Sequence, residues 1–401
     1  MDTRTTPVFP PDRINALSRL KDFVPRAGAA YARNRGDDLP GHSAVSTLSP
    51  YLSHRILTEA EVARAILDRH SRTEAEKFLS ELLWRGYFAG WLERRPRIWP
   101  DYLTGLDRAR DRLATEGGLR ARWAAACGGD TGIAPFDHWA AELVRTGYLH
   151  NHARMWFASI WMHSLQLPWE LGADLFMRHL LDGDPASNTL SWRWVAGLHT
   201  AGKVYVADAE NIARNTGGRF MAAPLRAALA RPPIVPPEAP PPPDPAPAPG
   251  GADLPSRGRI GLLLHEDDLH PDYLFTRGLA QAGTAAFLST AARSPATVAP
   301  GVHDFARALA QEAVARHAGQ GPVTSDPEEI ARWAAGFDHI VSPYARIGPV
   351  RAALDASGIA PIRPIRAWDS AIWQHAARGY FRVRKRMPDI LATIEQDMGN
   401  G

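Results

Sequence analysis

Apolar residues over roughly the first 230 positions recur at three- and four-residue intervals, which is the spacing of amphipathic helices. Two runs show this spacing, EAEVARAILDRH and EAEKFLSELLWRGYFAGWLERR. A third run, FDHWAAELVRTGYLHNHARMWFASIWMHSLQL, continues it, and Gly147 within that run predicts a break between two helices. Strand-like alternation is scarce here, so we predict a mostly α-helical region.

The pattern changes in the last third of the chain. The short apolar runs RIGLLLHE, TAAFLST and FDHIVSP alternate with two helical runs, VHDFARALAQEAVARHA and IGPVRAALDAS. Strands that alternate with helices predict a small parallel α/β sheet. The final segment, SAIWQHAARGYFRVRKRMPDILATIEQ, predicts one or two basic amphipathic helices.

A proline-rich segment, PPIVPPEAPPPPDPAPAP at 232–249, lies between the two regions. Proline has no backbone donor for a helix or a sheet, so we predict an extended spacer of about 3.1 Å per residue. Such a spacer either holds two domains apart or wraps one against the other. We therefore predict a helical domain at 1–228, a linker at 229–257, and an α/β Rossmann-like domain with the basic helices at 258–401.

Composition is that of an ordinary globular protein. Hydrophobic residues make up 45% and charged residues 22% of 401 positions, a length that favours two cores. The formal net charge is +3, and arginine carries most of the positive charge. Arginine binds phosphate well and permits a nucleic-acid surface, but a GC-rich genome would explain the same excess.

One cysteine, Cys127, rules out an intramolecular disulfide and a cysteine-based metal centre. No apolar run reaches the roughly 18 residues that a membrane helix needs, and the first residues lack the apolar core of a signal peptide. We therefore expect a cytoplasmic protein without a membrane contact. The sequence leaves its oligomeric state open.

Polar and aromatic residues concentrate in three segments that lie on separate predicted helices. They are ELLWRGYF at 81–88, TGYLHNHARM at 146–155, and LLDGDPASNTLSWRW at 180–194. Taken alone, the third segment could be a helix cap followed by two core tryptophans. The order and spacing of all three together call for a different explanation.

Together these segments resemble the photolyase/cryptochrome family. That family has W-x-H-N-x-x-R-M before D-G-D-x-x-x-N-x-x-x-W-x-W, and here only the first tryptophan differs, being Tyr148. Its E-x-x-W-R segment is matched at 81–85, and its T-S-x-L-S phosphate turn is matched at 45–49, with Val45 in place of threonine. The resemblance implies a mostly helical FAD-binding domain.

The resemblance implies FAD contacts at eleven positions. Asn188 would face flavin N5, where an amide stabilises reduced flavin, and Asp182 and Asp184 would lie near the flavin ring and ribose. Serines in the turn would hold the phosphates, although they would equally suit a plain helix cap, and an aspartate paired with Arg154 could simply join two helices. The implied positions are Tyr31, Ser46, Thr47, Leu48, Ser49, Arg85, Asn151, Arg154, Asp182, Asp184 and Asn188.

The same resemblance implies a substrate pocket for a flipped pyrimidine dimer. Glu81 would hydrogen-bond the dimer, Trp84 and Trp194 would form two aromatic walls, and Asn151 and Met155 would complete the contacts. Asparagine rather than histidine at 151 favours cyclobutane dimers. The alternative for the tryptophans is core packing, because the chain has 13 of them.

Electron transfer in the family follows a relay of tryptophans. Trp192 and Trp169 match its proximal and middle members, and Trp99 and Trp123 are both candidates for the distal one. With Asn188, the first two are the expected catalytic residues.

Family members begin with an α/β antenna domain that opens V-W-F-R-R-D-L-R, whereas here the α/β region follows the linker. One hypothesis is a circular permutation in which this region docks like an antenna domain; the other is an unrelated α/β module. No phosphate-binding glycine motif occurs in it, so the antenna chromophore is unknown.

The leading hypothesis is a light-driven, FAD-dependent lyase that repairs cyclobutane pyrimidine dimers in damaged DNA by transient electron donation from excited reduced flavin. The alternative is a cryptochrome-type blue-light sensor with an unknown signalling partner. A third interpretation is a flavin-binding relic without photochemistry.

Overall fold

The computed structural model describes residues 8–199, 203–234, 242–317 and 319–398. The predicted helical region is confirmed. Its helices are α1 Arg13–Phe23, α2 Ala29–Asn34, α3 Ser49–Ser53, α4 Glu59–Leu67, α5 Glu76–Glu93, α6 Ile98–Thr115, α7 Gly117–Gly128, α8 Ala134–Thr146, α9 Asn151–Ser159, α10 Trp169–His179, α11 Pro185–Val195, α12 Ala209–Asn215 and α13 Ala222–Ala228.

Local sequence signals set the ends of these helices. Thr58 and Glu61 form a capping box at the start of α4, in which each side chain pairs with the backbone N–H of the other residue. Helix α8 ends at Gly147, whose φ of 67° suits glycine, so the predicted break is confirmed.

The predicted parallel sheet is also confirmed. Its strands are β1 Ile260–His265, β2 Gln281–Phe287, β3 Val323–Thr324 and β4 His339–Val341, in the order β3-β2-β1-β4 with all pairs parallel. The helices between and after them are α14 Asp272–Thr276, α15 Pro300–Arg316, α16 Pro327–Ala334 and α17 Pro349–Ala356. Every residue of β1 is buried, as expected for a central parallel strand covered on both faces.

The C-terminal segment differs from its prediction of one or two helices. It forms four short ones, α18 Ala367–Trp373, α19 Phe381–Arg384, α20 Met387–Leu391 and α21 Ile394–Asp397. Gly379 lies between the first two, and Pro388 lies in the first turn of α20, where its fixed φ is tolerated only at a helix start. The prediction of one or two helices was therefore wrong.

The chain divides into two compact units. The first contains the described residues of Met1–Ala32, Leu48–Pro96 and Pro245–Gly401, and the second those of Arg33–Thr47 and Arg97–Asp244. Two N-terminal segments thus pack with the α/β region, which the linear division at 228 and 257 did not foresee. Compact units need not fold alone, and the domain boundaries stay a prediction.

The described parts of the predicted linker contain neither helix nor strand, while 235–241 lie outside the described residues. Beyond that gap the chain follows the first unit. Ala246 exchanges hydrogen bonds with Arg94, since its N–H donates to the Arg94 carbonyl at 2.8 Å and its carbonyl accepts from Arg94 Nε at 2.8 Å. This end of the linker therefore wraps along the first unit instead of extending from it.

A buried ion network joins the N-terminal and C-terminal segments of the first unit. Arg55 donates to Asp369 at 2.7 Å and to Asp268 at 3.2 Å, and Arg366 donates to both Asp268 oxygens at 2.6 and 2.8 Å. Burial would raise the pKa of Asp268, but Arg366 and Arg55 together lower it. The carboxylate is charged, and its loss would deprive the buried Arg366 of its ion-pair partner and Arg55 of one of three carboxylates.

Two glycines allow α18 to approach α5 closely in the same unit. A Cβ at Gly86 would lie 2.5 Å from Ile372 Cδ1, and one at Gly90 would lie 2.4 Å from Trp373 Cδ1. The two glycines are four residues apart and so share one face of α5. This face of α5 therefore packs against α18 of the C-terminal segment.

Among the described residues, no helix is both long enough and apolar enough to cross a lipid bilayer.

Candidate functional site

The predicted substrate residues of the first unit lie on the one partly exposed stripe of α5. Between Phe78 and Glu93 the residues that are not fully buried are Ser80, Glu81, Trp84, Arg85 and Phe88. Positions 81, 84, 85 and 88 follow the i, i+3, i+4, i+7 spacing of a single helix face, opposite the glycine face. A carboxylate, an indole and a guanidinium therefore share an accessible surface on a helix that is otherwise buried beyond its first turn.

Trp84 has an aromatic partner from the C-terminal segment. The ring of Tyr380 stacks on it with centroids 3.8 Å apart and an interplanar angle of 12°. The Tyr380 hydroxyl donates to the Ser80 carbonyl at 2.9 Å, which fixes the ring. One face of the predicted substrate wall is thus covered by the chain itself, which the sequence did not indicate.

Arg85, predicted to contact FAD, is tied to the ion network of the first unit. Its Nε donates to Glu59 Oε1 at 3.2 Å, and Glu59 also pairs with Arg55 at 3.3 Å. Burial would raise the pKa of Glu59, but Arg55 and Arg85 lower it. The network therefore fixes the position of the Arg85 side chain.

Tyr31 is buried among aromatic rings, with centroid distances of 5.9 Å to Phe23 and 5.1 Å to Phe78, both edge to face. Its role in FAD binding stays a prediction.

The predicted phosphate turn contributes Ser46 and Thr47 to the second unit and Leu48 and Ser49 to the first. Thr47 has a φ of 52°, which reverses the chain before α3. The N-cap of α3 is Leu48, whose aliphatic side chain cannot accept a hydrogen bond, so the serines are not its cap. The plain-cap alternative for these serines is therefore wrong, and a phosphate role stays open.

In the second unit, Arg154 and Asp182 form the predicted pair. Arg154 Nη2 donates to Asp182 Oδ2 at 2.8 Å, while its Nε donates to the Leu149 carbonyl at 3.0 Å. Asp184 is the N-cap of α11 and accepts from the Ser187 N–H at 2.7 Å. The Asp–Arg pair does link two helical segments, as the structural alternative required, and the Asp184 cap orients the start of α11.

Asn188 is held in one orientation on α11. It is 8% exposed, and its Nδ2 donates to the Ala173 carbonyl at 2.8 Å. The amide nitrogen is thus engaged, and the Oδ1 remains as an acceptor. An acceptor in that place suits the N5–H of a reduced flavin, so the residue fits the cofactor that the sequence implies.

Trp192 is fully buried in the second unit. It meets Trp161 and Phe176 edge to face, with centroids 6.2 and 5.1 Å away. The backbone of Gly172 on α10 lies against its ring, since a Cβ there would lie 2.3 Å from Trp192 Cη2. The absence of a side chain at Gly172 therefore leaves the space that the Trp192 ring occupies.

Trp169 begins α10 and contacts a line of rings on α6. Its centroid lies 5.5 Å from that of Tyr102, which lies 5.2 Å from that of Trp99. Of the two candidates for the distal relay member, Trp99 is thus connected to Trp169 through Tyr102. No ring contact of Trp123 occurs in the described part of the chain.

The remaining predicted substrate residues of the second unit are accessible to different degrees. Asn151 is exposed at the start of α9, Met155 is half-buried one turn later, and the half-buried Trp194 packs on Tyr205 with centroids 5.5 Å apart. Asn151 and Met155 are four residues apart and share a helix face.

One polar cluster of the second unit was not foreseen. His42 lies 3.5 Å from Asp38 through Nδ1 and 3.2 Å from Glu142 through Nε2, and its ring meets that of Tyr148 edge to face at 5.0 Å. Burial opposes protonation, but the two carboxylates outweigh it and raise the pKa of His42 to about 9. Its partner Glu142 lies 100 residues away in sequence, so no local signal marks the cluster.

The helices of the second unit thus hold a fixed asparagine acceptor, an Asp–Arg pair and a buried tryptophan. Residues 78–216 match the family described as the FAD binding domain of DNA photolyase. Over these residues the chain is therefore similar to a domain that binds FAD in DNA photolyases, and FAD is the cofactor that this similarity indicates.

Individual relatives agree with this assignment. The chain is 31% identical to the deoxyribodipyrimidine photo-lyase of Vibrio cholerae over 199 residues, 47% of this chain and 40% of that protein. It is 35% identical to the Streptomyces griseus photo-lyase over 165 residues, 41% of this chain and 34% of that protein. The match thus spans less than half the length of these relatives.

A solved class III photolyase from Agrobacterium tumefaciens aligns with 52% of this chain and 44% of its own, at 27% identity and a TM-score of 0.44.

Proposed function

We propose that the protein is a photolyase-like lyase that repairs cyclobutane pyrimidine dimers in damaged DNA, in the cytoplasm, under blue light. The observation that carries the proposal is the accessible stripe of α5. On this stripe Glu81 lies one turn from Trp84, at the start of the segment that matches the FAD-binding domain, so a carboxylate and an indole are presented together.

Reduced FAD, after absorbing light, supplies the electron that splits the dimer. The chain's residues prepare that step. Asn188 Oδ1 would accept a hydrogen bond from the reduced ring, and the Ala173 carbonyl, which accepts from Nδ2, keeps the amide from rotating. Arg154 pairs with Asp182 and would keep its carboxylate in place for the cofactor.

The dimer is recognised by shape and by one charge-assisted hydrogen bond. On the first unit, Glu81 would accept from the pyrimidine edge and Trp84 would offer a flat apolar wall. On the second unit, Trp194, Asn151 and Met155 are the further contacts that the family resemblance implies. No general acid or base is needed.

Trp192 and Trp169 would carry an electron from an external thiol to oxidised FAD when the cofactor must be re-reduced. The contacts of Trp169 with Tyr102 and of Tyr102 with Trp99 support Trp99 as the outer member.

The test is repair of a thymine-dimer oligonucleotide by the reduced, FAD-loaded protein in blue light, compared with a dark control. Glu81→Ala should lower repair by about tenfold or more, because a hydrogen bond to a charged group contributes about 1.5–3 kcal/mol, while bound FAD is retained. Glu329→Ala, which removes an exposed carboxylate on α16, is the matched control. Repair that is absent, or equal in Glu81→Ala and wild type, contradicts the proposal.

A second candidate function is a cryptochrome-type light sensor, and the stack of Tyr380 on Trp84 favours it. In a sensor, the C-terminal segment would cover Trp84 in the dark and leave it after illumination. Limited proteolysis of that segment in light and dark distinguishes the two functions. A light-dependent change in proteolysis that Tyr380→Ala abolishes, in a protein without repair activity, supports sensing. FAD that is bound but cannot be photoreduced supports the third interpretation, a flavin-binding relic without photochemistry.

A further inference from the structure

A cleft in the first unit lies between the start of α5 and the C-terminal helices. It has a volume of about 430 Å³, and its lining includes Arg72, Glu76, Phe381, Arg384 and Lys385. None of these residues belongs to the predicted FAD or dimer contacts. The cleft therefore calls for an explanation of its own.

The charge of this cleft is positive. Arg384 pairs with Glu76 at 2.6 Å and neutralises its carboxylate. Arg72 and Lys385 are exposed, and within the described ranges neither forms an ion pair. Two cations thus remain to attract an anion, and the exposed Lys77 and Arg382 add to the same field.

Phe381 is the second feature of the cleft, because 70% of its side chain is exposed. The neighbouring apolar residues Tyr380, Val383, Met387 and Ile390 are all buried. Phe381 is therefore a single exposed ring among cations and not the edge of an apolar helix face. An interfacial membrane helix would instead present several apolar residues on one side.

A single aromatic ring beside unpaired cations is the arrangement that binds single-stranded nucleic acid, where bases stack on the ring and phosphates pair with the cations. Phe381 directly follows Tyr380, which stacks on Trp84 one turn from Glu81. A strand lying in the cleft would thus approach the residues proposed to hold the lesion.

We infer that this cleft binds the backbone of single-stranded DNA, with Phe381 stacked on a base and Arg72 and Lys385 on phosphates. The choice of DNA as the polynucleotide rests on the proposed function. Binding itself does not require damage or light, so it can be measured separately from repair.

The test is fluorescence anisotropy of the full-length, FAD-loaded protein in the dark with an undamaged labelled strand of about 12 nucleotides. Kd is measured between about 50 and 200 mM salt. Phe381→Leu should weaken binding by about fivefold or more, whereas Phe381→Tyr should bind like wild type, because tyrosine keeps a flat ring.

The double variant Arg72→Gln/Lys385→Gln should weaken binding and lower the slope of log K against log salt by about 1.4, or about 0.7 for each phosphate that is no longer neutralised. Arg307→Gln/Arg332→Gln changes the charge equally at two exposed arginines of α15 and α16 and should leave the slope closer to wild type.

Several results would overturn the inference. They are no binding of the strand, equal affinities for the cleft and control variants, or binding to phosphatidylserine vesicles that Phe381→Leu removes. Strand binding that depends on the cleft in a protein that repairs no dimer would contradict the proposed function and leave this inference standing.

Discussion

Gly172→Ala tests whether Trp192 owes its position to the missing side chain of Gly172. The new Cβ would lie 2.3 and 2.5 Å from two ring carbons of Trp192 and 3.0 Å from Trp161 Cε2. Carbon atoms in contact are about 3.5–4.0 Å apart, so the ring must move. Because Gly172 lies inside α10, the backbone cannot easily yield instead.

Two opposing effects set the magnitude. Alanine gains about 1 kcal/mol over glycine within a helix, whereas overpacking of a filled core costs about 1–3 kcal/mol. We expect Gly172→Ala to be neutral or to destabilise by up to about 2 kcal/mol. Gly128→Ala, at the end of α7 with no atom within 4 Å of the new Cβ, should be neutral or stabilising.

The assay is the free energy of unfolding in urea for both variants, with the rate of FAD photoreduction in each. The free energy of unfolding of Gly172→Ala should be about 1–3 kcal/mol lower than that of Gly128→Ala. FAD photoreduction should also be slower in Gly172→Ala, because Trp192 is displaced. If both variants gain stability alike and photoreduction is unchanged, the packing argument is refuted.

Three further changes have defined outcomes. Asp268→Asn should destabilise the protein by about 3–5 kcal/mol in thermal or urea unfolding, because Arg55 and Arg366 lose a buried counter-ion; a loss below about 1 kcal/mol would contradict this. The pKa of His42 is raised to about 9 in the folded state, above about 6.5 when unfolded, so its stabilisation is complete below pH 6.5 and disappears as pH rises through 9. Urea midpoints at several pH values should show that decline, and His42→Gln should lack it. Asn188→Ala should lower the reduction potential of bound FAD at unchanged FAD content, and an unchanged potential would remove Asn188 from the mechanism.

The sequence predicted the elements that local pattern determines. Glycine at 147 marked a helix end, and apolar runs marked β1, β2 and β4. Strand β3 was missed because two residues are too short to give a period. The C-terminal segment was predicted as one or two helices and forms four, because its periodicity outweighed the interruptions by glycine and proline.

Of the candidate site, the sequence supplied residue types but not their partners. Asn188 and its role could be inferred by resemblance, whereas the Ala173 carbonyl that orients it could not. The ring of Tyr380 stacks on that of Trp84. The Tyr380 hydroxyl also donates a hydrogen bond to the Ser80 carbonyl, at a sequence separation of 300. Contacts of this range depend on the tertiary fold, which periodicity does not encode.

The ion network of the first unit also sets an order of assembly during synthesis. Arg55 pairs with Asp268 and Asp369, which follow it by 213 and 314 residues. At about 5–20 residues per second, the second of these carboxylates leaves the ribosome about 15–60 seconds after Arg55. Until then Arg55 lacks the second carboxylate and the glycine face of α5 lacks α18, so this packing can form only after most of the chain has been synthesised.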